Sequence, residues 1–437
     1  MVQSKTVNKY ISLILLIFSH FVYAQNTYNP MQEPQFAEDV SINADPVWSD
    51  QLKEKFSKVR VKIFPHNSKY NAPHGKDETI HKLNVSSQGD CNIYKSDFPT
   101  SEQEFTRKTL LNSGKSFDLT TTTVTDPIWI ECTQPIEIKR PDFPNNSVRY
   151  QGMLFIKTIS AVTSYLTVVN VLPFEQYLKG VVPSEMPASW SAEALKVQAI
   201  AARTYAYHEL GSEVANSDKN ILLEKSGAQI DDTVTYQAYL GLKNGAASTD
   251  KAIDDTQGMV LTYNKKVIKA YFSADSGGYT ENSENVWGDA HPYILAKPEL
   301  YPEGSIPGTS WSFTTPIKEV GKKLISSGFL APEDELESLF IDKNDLFPSS
   351  RPKFVELKLT NGSKKKISAV DYSFATRIKS AWIQFAGAEQ GNVIVSGKGF
   401  GHGAGMSQWG ARVMVDTLKK KYDEILKFYY TDVEISK

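Results

Sequence analysis

The chain has 437 residues with 48 basic and 50 acidic side chains, which gives a formal net charge of −2 at pH 7. Apolar residues make up 41% and charged residues 22%, the usage of an ordinary globular protein. This composition excludes a disordered chain, a collagen-like chain and a bundle of membrane helices. It also lacks the basic excess of a protein that binds nucleic-acid phosphates. The length predicts about two or three domains.

Residues 1–24 have the pattern of a secretory signal peptide. Lys5 and Lys9 precede a short apolar run over 11–22, and Ala24 provides a small residue at the cleavage position. The run is shorter than the ~20 apolar residues of a stable transmembrane helix. We therefore predict an exported protein, periplasmic or associated with the cell wall, without a membrane span after cleavage. An uncleaved anchor is the alternative.

The sequence pattern after the signal peptide predicts an extended leader and then β structure. Residues 25–57 are polar and contain Pro30, Pro34 and Pro46, and we expect an extended leader there. Period-two alternation begins at residue 58, and further strand patterns predict a β-rich domain over 58–147. A segment rich in proline and asparagine then ends this domain.

Cys91 and Cys132 are the only cysteines in the sequence. In an exported protein, such a pair commonly closes a disulfide. Two separate buried thiols are the alternative, because sequence does not fix their separation. Without a neighbouring histidine the pair makes a poor zinc site, and we predict no metal.

The patterns over residues 148–437 predict a larger lobe that contains both helices and strands. We therefore assign the whole chain to the α+β class. Its clearest element is an alanine-rich helix over 192–210, with Leu195, Ala199 and Ala202 on one face and Ser191 as a possible N-cap. We expect this helix to be buried at the centre of the lobe, beside a cleft.

Glu185 lies in the first of three segments that carry chemistry. It stands between Pro183 and Pro187, which predicts a stiff, non-helical turn. Its apolar neighbours favour a carboxyl group that acts as a general acid. An exposed loop glutamate without a role is the alternative.

The other two segments are rich in glycine. In the loop over 276–284, Gly277 and Gly278 permit close approach to a ligand, and Glu281 or Glu284 offers a second carboxylate. An ordinary hairpin exit is the alternative. The second segment surrounds His402, and its glycine spacing does not match a nucleotide-binding loop. His402 is either a ligand-binding residue or a buried structural imidazole.

Together these segments closely resemble the stage II sporulation protein D / amidase-enhancer family. The resemblance covers about residues 150–435 and rests on four stretches: 177–187 (YLKGVVPSEMP), 193–205 (EALKVQAIAARTY), 270–282 (AYFSADSGGYTEN) and 399–411 (GFGHGAGMSQWGA).

The resemblance implies a lytic transglycosylase that cuts the glycan strands of peptidoglycan, preferably strands without stem peptides. It implies that Glu185 is the catalytic residue and that no cofactor is needed. It further implies a substrate groove lined by residues of all these stretches, namely Gln198, Arg203, Tyr205, Ser276, Gly277, Gly278, Glu281, His402, Gly403, Ser407 and Gln408. The expected partner is the glycan strand, with a cell-wall amidase as a second one, and neither nucleic acid nor nucleotide.

The sequence departs from some members of the family in one loop, and two other functions are alternatives to lytic transglycosylation. Some members of the family bind zinc through cysteine and histidine in a loop that here, over 230–241, contains neither residue. The first rival is a non-catalytic glycan-binding protein that enhances an amidase. The second is ordinary hydrolysis, in which Glu281 or Glu284 activates water.

Overall fold

The structure is a computed structural model that describes residues 45–63, 80–95, 106–139, 147–160, 164–211, 226–233, 236–302 and 304–437. The predicted signal peptide and most of the leader lie outside these residues. Helices and many strands occur together, which confirms the α+β class. The chain divides into two compact units, whose main parts are residues 44–269 (unit 1) and 270–436 (unit 2).

Unit 1 contains four helices among its described residues, α1 (Asp50–Lys55), α2 (Phe174–Glu185), α3 (Ala192–Gly211) and α4 (Ala247–Asp255). Its strands are β1 (Lys58–Lys62), β2 (Lys82–Ser87), β3 (Cys91–Lys95), β4 (Thr106–Leu111), β5 (Ser116–Thr120), β6 (Ile128–Cys132), β7 (Ile136–Lys139), β8 (Ser147–Tyr150), β9 (Met153–Ile159), β10 (Tyr165–Pro173), β11 (Ile230–Asp231), β12 (Val260–Tyr263) and β13 (Lys266–Val267).

A seven-stranded sheet forms the frame of unit 1, in the order β11-β1-β10-β9-β6-β3-β4. β1 runs antiparallel to β10, and β6 runs antiparallel to β9. A four-stranded sheet has the order β5-β2-β7-β8. The large sheet thus joins strands from both sides of residue 147, where the sequence predicts a domain boundary, whereas the division of the chain into compact units falls between residues 269 and 270.

Cys91 and Cys132 lie directly opposite each other on β3 and β6, and they form a disulfide. Part of the expected extended leader is helical. Ser49 caps α1, where its hydroxyl accepts a hydrogen bond from the Leu52 amide at 3.2 Å.

The alanine-rich helix predicted over 192–210 is present as α3. Most of its side chains are buried, and α3 packs against α2 and α4 because its alanines allow close approach. The predicted cap is not made through the side chain, since the Ser191 hydroxyl has no hydrogen-bond partner among the described residues. α3 is therefore held by burial rather than by its cap.

Unit 2 contains α5 (Glu284–Trp287), α6 (Ile317–Ser326), α7 (Ala369–Thr376), α8 (Gln408–Asp416) and α9 (Tyr422–Tyr429). Its strands are β14 (Phe272–Ser273), β15 (Ser310–Pro316), β16 (Leu336–Phe340), β17 (Phe354–Leu359), β18 (Lys364–Ser368), β19 (Ile383–Glu389), β20 (Asn392–Lys398), β21 (Met406–Ser407) and β22 (Glu434–Ser436).

Two three-stranded sheets, β15-β20-β19 and β16-β17-β18, share one hydrophobic core in unit 2. Leu324 of α6 and Tyr372 of α7 are buried in this core together with Leu357 and Val395 of the sheets. The short strands β14 and β21 pair in parallel. This pairing brings the two glycine-rich segments of unit 2 together.

Candidate functional site

Glu185 is the last residue of α2, so the prediction of a non-helical turn is wrong. Pro183 lies inside the helix, where it removes only one amide donor within the last turn, and Met186 continues the pattern by donating to the Val182 carbonyl at 2.9 Å. The exposed fraction of Glu185 is 8%. Its carboxyl group is therefore held by a helix end inside unit 1 and not by an exposed loop.

The segment 237–241 approaches Glu185. The Ala238 amide donates to Glu185 Oε1 at 2.8 Å. Tyr239, the next residue, packs so closely on α2 that a Cβ atom at Gly180 would lie 2.4 Å from its ring. Gly180 is thus required by close packing, which keeps the Ala238 amide next to the carboxylate.

The residues predicted for substrate binding on α3 are buried in unit 1. Gln198 and Arg203 are fully buried, and Tyr205 is 8% exposed. The Arg203 guanidinium forms a two-pronged pair with Glu175 of α2, at 2.9 Å through Nε and 2.8 Å through Nη2. It also donates to the Ile253 carbonyl at 3.2 Å. These contacts join α3 to α2 and to α4.

In unit 2 the loop after β14 meets the glycine segment around His402. Asp275 and Phe400 exchange two backbone hydrogen bonds, of 2.9 and 2.7 Å, and the Glu281 amide donates to the Gly403 carbonyl at 2.9 Å. Gly277 and Gly278 both have positive φ, of 78° and 103°. The structure therefore unites the two glycine-rich segments that the sequence predicted to act together.

His402 is a buried, neutral imidazole. Its Nε2 donates to the Phe272 carbonyl at 2.9 Å, and its Nδ1 accepts from the Ala404 amide at 3.2 Å, a pattern that fixes the tautomer. Burial lowers the pKa of His402 to about 4. Its ring lies edge-on to Trp287, with 4.7 Å between ring centroids. Both of these hydrogen bonds join the imidazole to the backbone of unit 2, so they give the ring a structural role.

Arg351 holds the loop over 276–281 and was not identified from the sequence. Its Nη2 donates to the carbonyls of Ser276 at 2.8 Å and Tyr279 at 2.9 Å. Gly403, with φ of 78°, packs on the same guanidinium, and a Cβ atom there would lie 2.4 Å from Nη2. Burial lowers the pKa of Arg351 to about 10.

The Glu281 carboxylate is bonded to other side chains of unit 2. It is 1% exposed, lies 3.7 Å from Arg351 Nη1, and accepts hydrogen bonds from the Ser349 hydroxyl and from Asn285. Glu284 begins the short helix α5 and is partly buried. These contacts tie Glu281 to Arg351, the residue that holds the loop.

Ser276 and Ser407 belong to a buried polar cluster, in which the Ser276 amide donates to the Ser407 hydroxyl at 3.4 Å. The Ser407 hydroxyl caps α8 by accepting from the Gly410 amide at 3.0 Å, and Gln408, the first residue of α8, is 4% exposed. The Ser276 hydroxyl donates to Glu299, which also accepts from the Tyr429 hydroxyl at 2.7 Å. Burial raises the pKa of the Glu299 carboxyl to about 7.

Glu299 and Arg351 were missed because neither stands in a recognisable motif. Glu299 meets Ser276 from 23 residues away along the chain, and Arg351 meets Ser276 from 75 residues away. The only signal was a charged residue next to a proline, Pro298 for Glu299 and Pro352 for Arg351, which is a weak pattern on its own.

The donor set in the 230–241 loop does not fit zinc. Among its described residues, Asp231 Oδ1 accepts from the Thr233 amide at 2.8 Å, and Asp232 carries the only other carboxylate of this stretch. The described residues contain no group of three or more His, Cys, Asp and Glu side chains placed to hold a metal ion. Nor does the described part of the chain include a helix with the length and apolar character needed to span a membrane.

Comparison with known proteins identifies the family. A family model described as stage II sporulation protein matches residues 163–263. The stage II sporulation protein D of Bacillus amyloliquefaciens is 35% identical over 285 residues, which cover 63% of this chain and 77% of that relative. The chain belongs to the stage II sporulation protein D / amidase-enhancer family.

Two further relatives define how far this family likeness extends. An uncharacterised protein of Brachyspira hyodysenteriae is 36% identical over 296 residues, covering 67% of this chain and 74% of that protein. The amidase enhancer of Bacillus subtilis is 30% identical over 299 residues, covering 58% of this chain but only 39% of that protein. The region matched by the stage II sporulation protein model contains Glu185, Gln198, Arg203 and Tyr205, whereas the predicted site residues of unit 2 lie beyond it.

Proposed function

We propose that this protein is a lytic transglycosylase that cleaves peptidoglycan between N-acetylmuramic acid and N-acetylglucosamine, with Glu185 as both acid and base. The observation that carries the proposal is the buried Glu185 carboxyl group, which ends α2 within a family motif and accepts the Ala238 amide. Membership of the stage II sporulation protein D family supports a role in the cell wall.

One carboxyl group suffices for this reaction. In its acid form, Glu185 donates a proton to the glycosidic oxygen as the bond from that oxygen to C1 of N-acetylmuramic acid breaks. The Glu185 carboxylate then takes the proton of the C6 hydroxyl of the same sugar, whose oxygen bonds to C1 and closes a 1,6-anhydro ring. No water enters, so the second carboxylate of a hydrolase is not required.

The remaining predicted residues fall into two groups in this proposal. Arg203 supports the site by joining α3 to the helix that carries Glu185, because its guanidinium bonds to Glu175. Gly277 and Gly403 of the glycine-rich segments already use their amides within unit 2, on Asp275 and Ser273. Their binding to the glycan stays a prediction, for which a mostly neutral glycan without its peptides is a suitable ligand. The near-neutral charge of the chain agrees with such a substrate.

The substrate also sets the location that we propose. Peptidoglycan lies outside the cytoplasmic membrane, so the enzyme must be exported to the periplasm or the cell wall. The secretory pattern of residues 1–24 supports this location.

A second candidate function is a glycan-binding protein that enhances an amidase. The observation that favours it is the likeness to the amidase enhancer of Bacillus subtilis. In this case the protein would bind glycan strands and a cell-wall amidase, and Glu185 would be dispensable.

Product analysis distinguishes these functions. We expect the protein to convert peptide-stripped glycan strands into fragments with 1,6-anhydro ends, which mass spectrometry identifies by the loss of one water relative to hydrolytic products. Glu185→Gln should reduce the rate by roughly a hundredfold to ten-thousandfold, because the substitution removes the proton that is transferred.

Glu193→Gln is the matched control, since Glu193 is a partly buried glutamate of unit 1 that pairs with Lys196 at 3.4 Å. It should retain nearly full activity. Reducing ends instead of anhydro ends would indicate hydrolysis. Unchanged glycan, together with faster cleavage by an added amidase, would support the enhancer function and defeat the enzymatic one.

A further inference from the structure

The hydrogen bond between Ala238 and Glu185 depends on how firmly the Ala238 backbone is held. A backbone amide directs a carboxyl group only if its own loop does not move. The Ala238 amide belongs to a segment without helix or strand, so its position must come from side chains on either side of it. The neighbouring contacts identify these side chains.

Gln237 connects the segment to two helices at once. Its Nε2 donates to the Ala202 carbonyl of α3 at 2.9 Å, and its Oε1 accepts from the Tyr177 hydroxyl of α2 at 3.3 Å. Gln237 is 1% exposed, so both hydrogen bonds are shielded from water. A buried amide that uses its donor and its acceptor on different helices fixes both the distance and the direction of the backbone that carries it.

Tyr239 supports the same segment from the other side of Ala238. Its amide donates to the Asp232 carbonyl at 3.2 Å, and its hydroxyl donates to Asn170 Oδ1 at 2.6 Å. Its ring packs against the Tyr177 ring, with 5.3 Å between centroids. Tyr177 thus contacts both neighbours of Ala238 and belongs to the helix that ends in Glu185.

We propose that Gln237 is a positioning residue for Glu185, which it controls through the Ala238 amide; this role rests on the proposed transglycosylase function. The Gln237 side chain does not touch the reacting atoms. It holds the amide that bonds to Glu185 Oε1, and because the carbonyl oxygen of a carboxylic acid is its better acceptor, this amide directs the acidic proton to Oε2. The same oxygen then receives the proton of the C6 hydroxyl in the second half of the reaction.

Gln237→Met tests this role, since methionine has a similar length but makes neither hydrogen bond. We expect kcat to fall by roughly ten- to a hundredfold, with KM changed by less than about twofold, because the proton is misdirected while the sugar-binding groups remain. Gln229→Met is the matched control, because Gln229 accepts from the Arg60 amide at 2.9 Å and makes no described contact with α2 or α3. It should keep the kcat of the unmodified protein.

A measurement without substrate separates the positioning role from the enzymatic function. In protein labelled with ¹⁵N-alanine, the Ala238 amide signal is identified by its loss in Ala238→Gly. We expect this amide to exchange with solvent at least about tenfold faster in Gln237→Met than in Gln229→Met. Should the protein prove inactive, the proposed function fails while this measurement still tests the positioning of Ala238.

Tyr177→Phe provides a second variant in case Gln237→Met unfolds. It deletes only the hydroxyl that donates to Gln237 and keeps the ring that packs on Tyr239. We expect a smaller loss of kcat, of about two- to tenfold, in the same direction. The proposal is overturned if both variants retain the kcat and the Ala238 exchange rate of the unmodified protein, or if kcat and KM change together in proportion.

Discussion

The loop beside Glu185 in unit 1 and the loop over 276–281 in unit 2 are held in opposite ways. In unit 1, the side chains of the loop itself reach outward, as Gln237 does to two helices and Tyr239 to Asn170. In unit 2, Arg351 lies outside the loop, and its side chain donates hydrogen bonds to two carbonyl groups of the loop. Loss of one contact should therefore weaken the first loop in part, whereas loss of one residue should release the second loop as a whole.

Two buried histidines also differ between the units, in the charge that their surroundings favour. His208 in unit 1 is hydrogen-bonded to the Asp45 carboxylate at 2.8 Å and lies 3.4 Å from the Glu209 carboxylate. Burial opposes the charge of His208, but these two carboxylates raise its pKa. His402 in unit 2 has backbone partners, and burial lowers its pKa to about 4. The described surroundings of His208 thus pair charges, whereas those of His402 favour a neutral ring.

Arg351→Met should have the largest effect on stability. The substitution leaves the carbonyls of Ser276 and Tyr279 without this donor and removes the positive charge beside buried Glu281, so we expect a loss of about 3–5 kcal/mol in the free energy of unfolding. Urea denaturation measures the loss, and hydrogen exchange of peptides from residues 270–436 locates it.

Lys353→Met is the control for Arg351→Met. Lys353 pairs with Asp345 at 3.1 Å, but both side chains are at least 35% exposed, so the expected loss is below about 1 kcal/mol. Equal losses in the two variants would contradict the idea that one buried guanidinium holds the loop.

Glu299 should make the stability of unit 2 depend on pH. Its pKa rises from 4.5 to about 7 because burial disfavours its charged form, so the folded protein binds this proton more tightly than the unfolded chain. The contribution of Glu299 to the free energy of unfolding is fully present below the pKa of this residue in the unfolded chain, and it is lost as the pH rises through about 7. Since one pKa unit is worth about 1.4 kcal/mol, the loss amounts to about 3 kcal/mol.

Glu299→Gln tests this dependence, because glutamine keeps the shape of the side chain but does not titrate. Buried Asp275 and His402 also titrate in unit 2, with a raised and a lowered pKa, and they remain in both proteins, so the difference between the two isolates Glu299. Urea denaturation at about pH 5 and about pH 8 should show a smaller decrease for Glu299→Gln than for the unmodified protein. Glu337→Gln, a change in an exposed pair with Lys358, should leave the decrease unaltered, and identical decreases in all three proteins would refute the prediction.

Local patterns predicted many of the elements, whereas long-range contacts determined the details of the site. The strand Lys58–Lys62 and the helix α3 follow from the alternation that begins at residue 58 and from alanine spacing, and the structure confirms them. The helical position of Glu185 did not follow, because Pro183 indicates a helix break unless tertiary packing supplies compensation. Gln237 could not be chosen from the sequence either, since its role depends on Tyr177 and Ala202, which come from two separate helices.

Gly180→Ala should have a smaller effect on stability than Arg351→Met, and it tests whether the loop beside Glu185 is weakened only in part. Alanine improves helix propensity by about 1 kcal/mol, but its Cβ would lie 2.4 Å from the Tyr239 ring, so the ring and the Ala238 amide must shift. We expect a net loss of about 1–3 kcal/mol in the free energy of unfolding, together with a partial loss of the rate of the proposed glycan cleavage. Gly245→Ala is the control, because the nearest atom to its Cβ would be 3.7 Å away, an ordinary contact. If Gly180→Ala instead released the whole loop beside Glu185, as Arg351→Met is expected to release the loop over 276–281, the loop of unit 1 would not be held by separate contacts. The contrast between the two units would then be wrong.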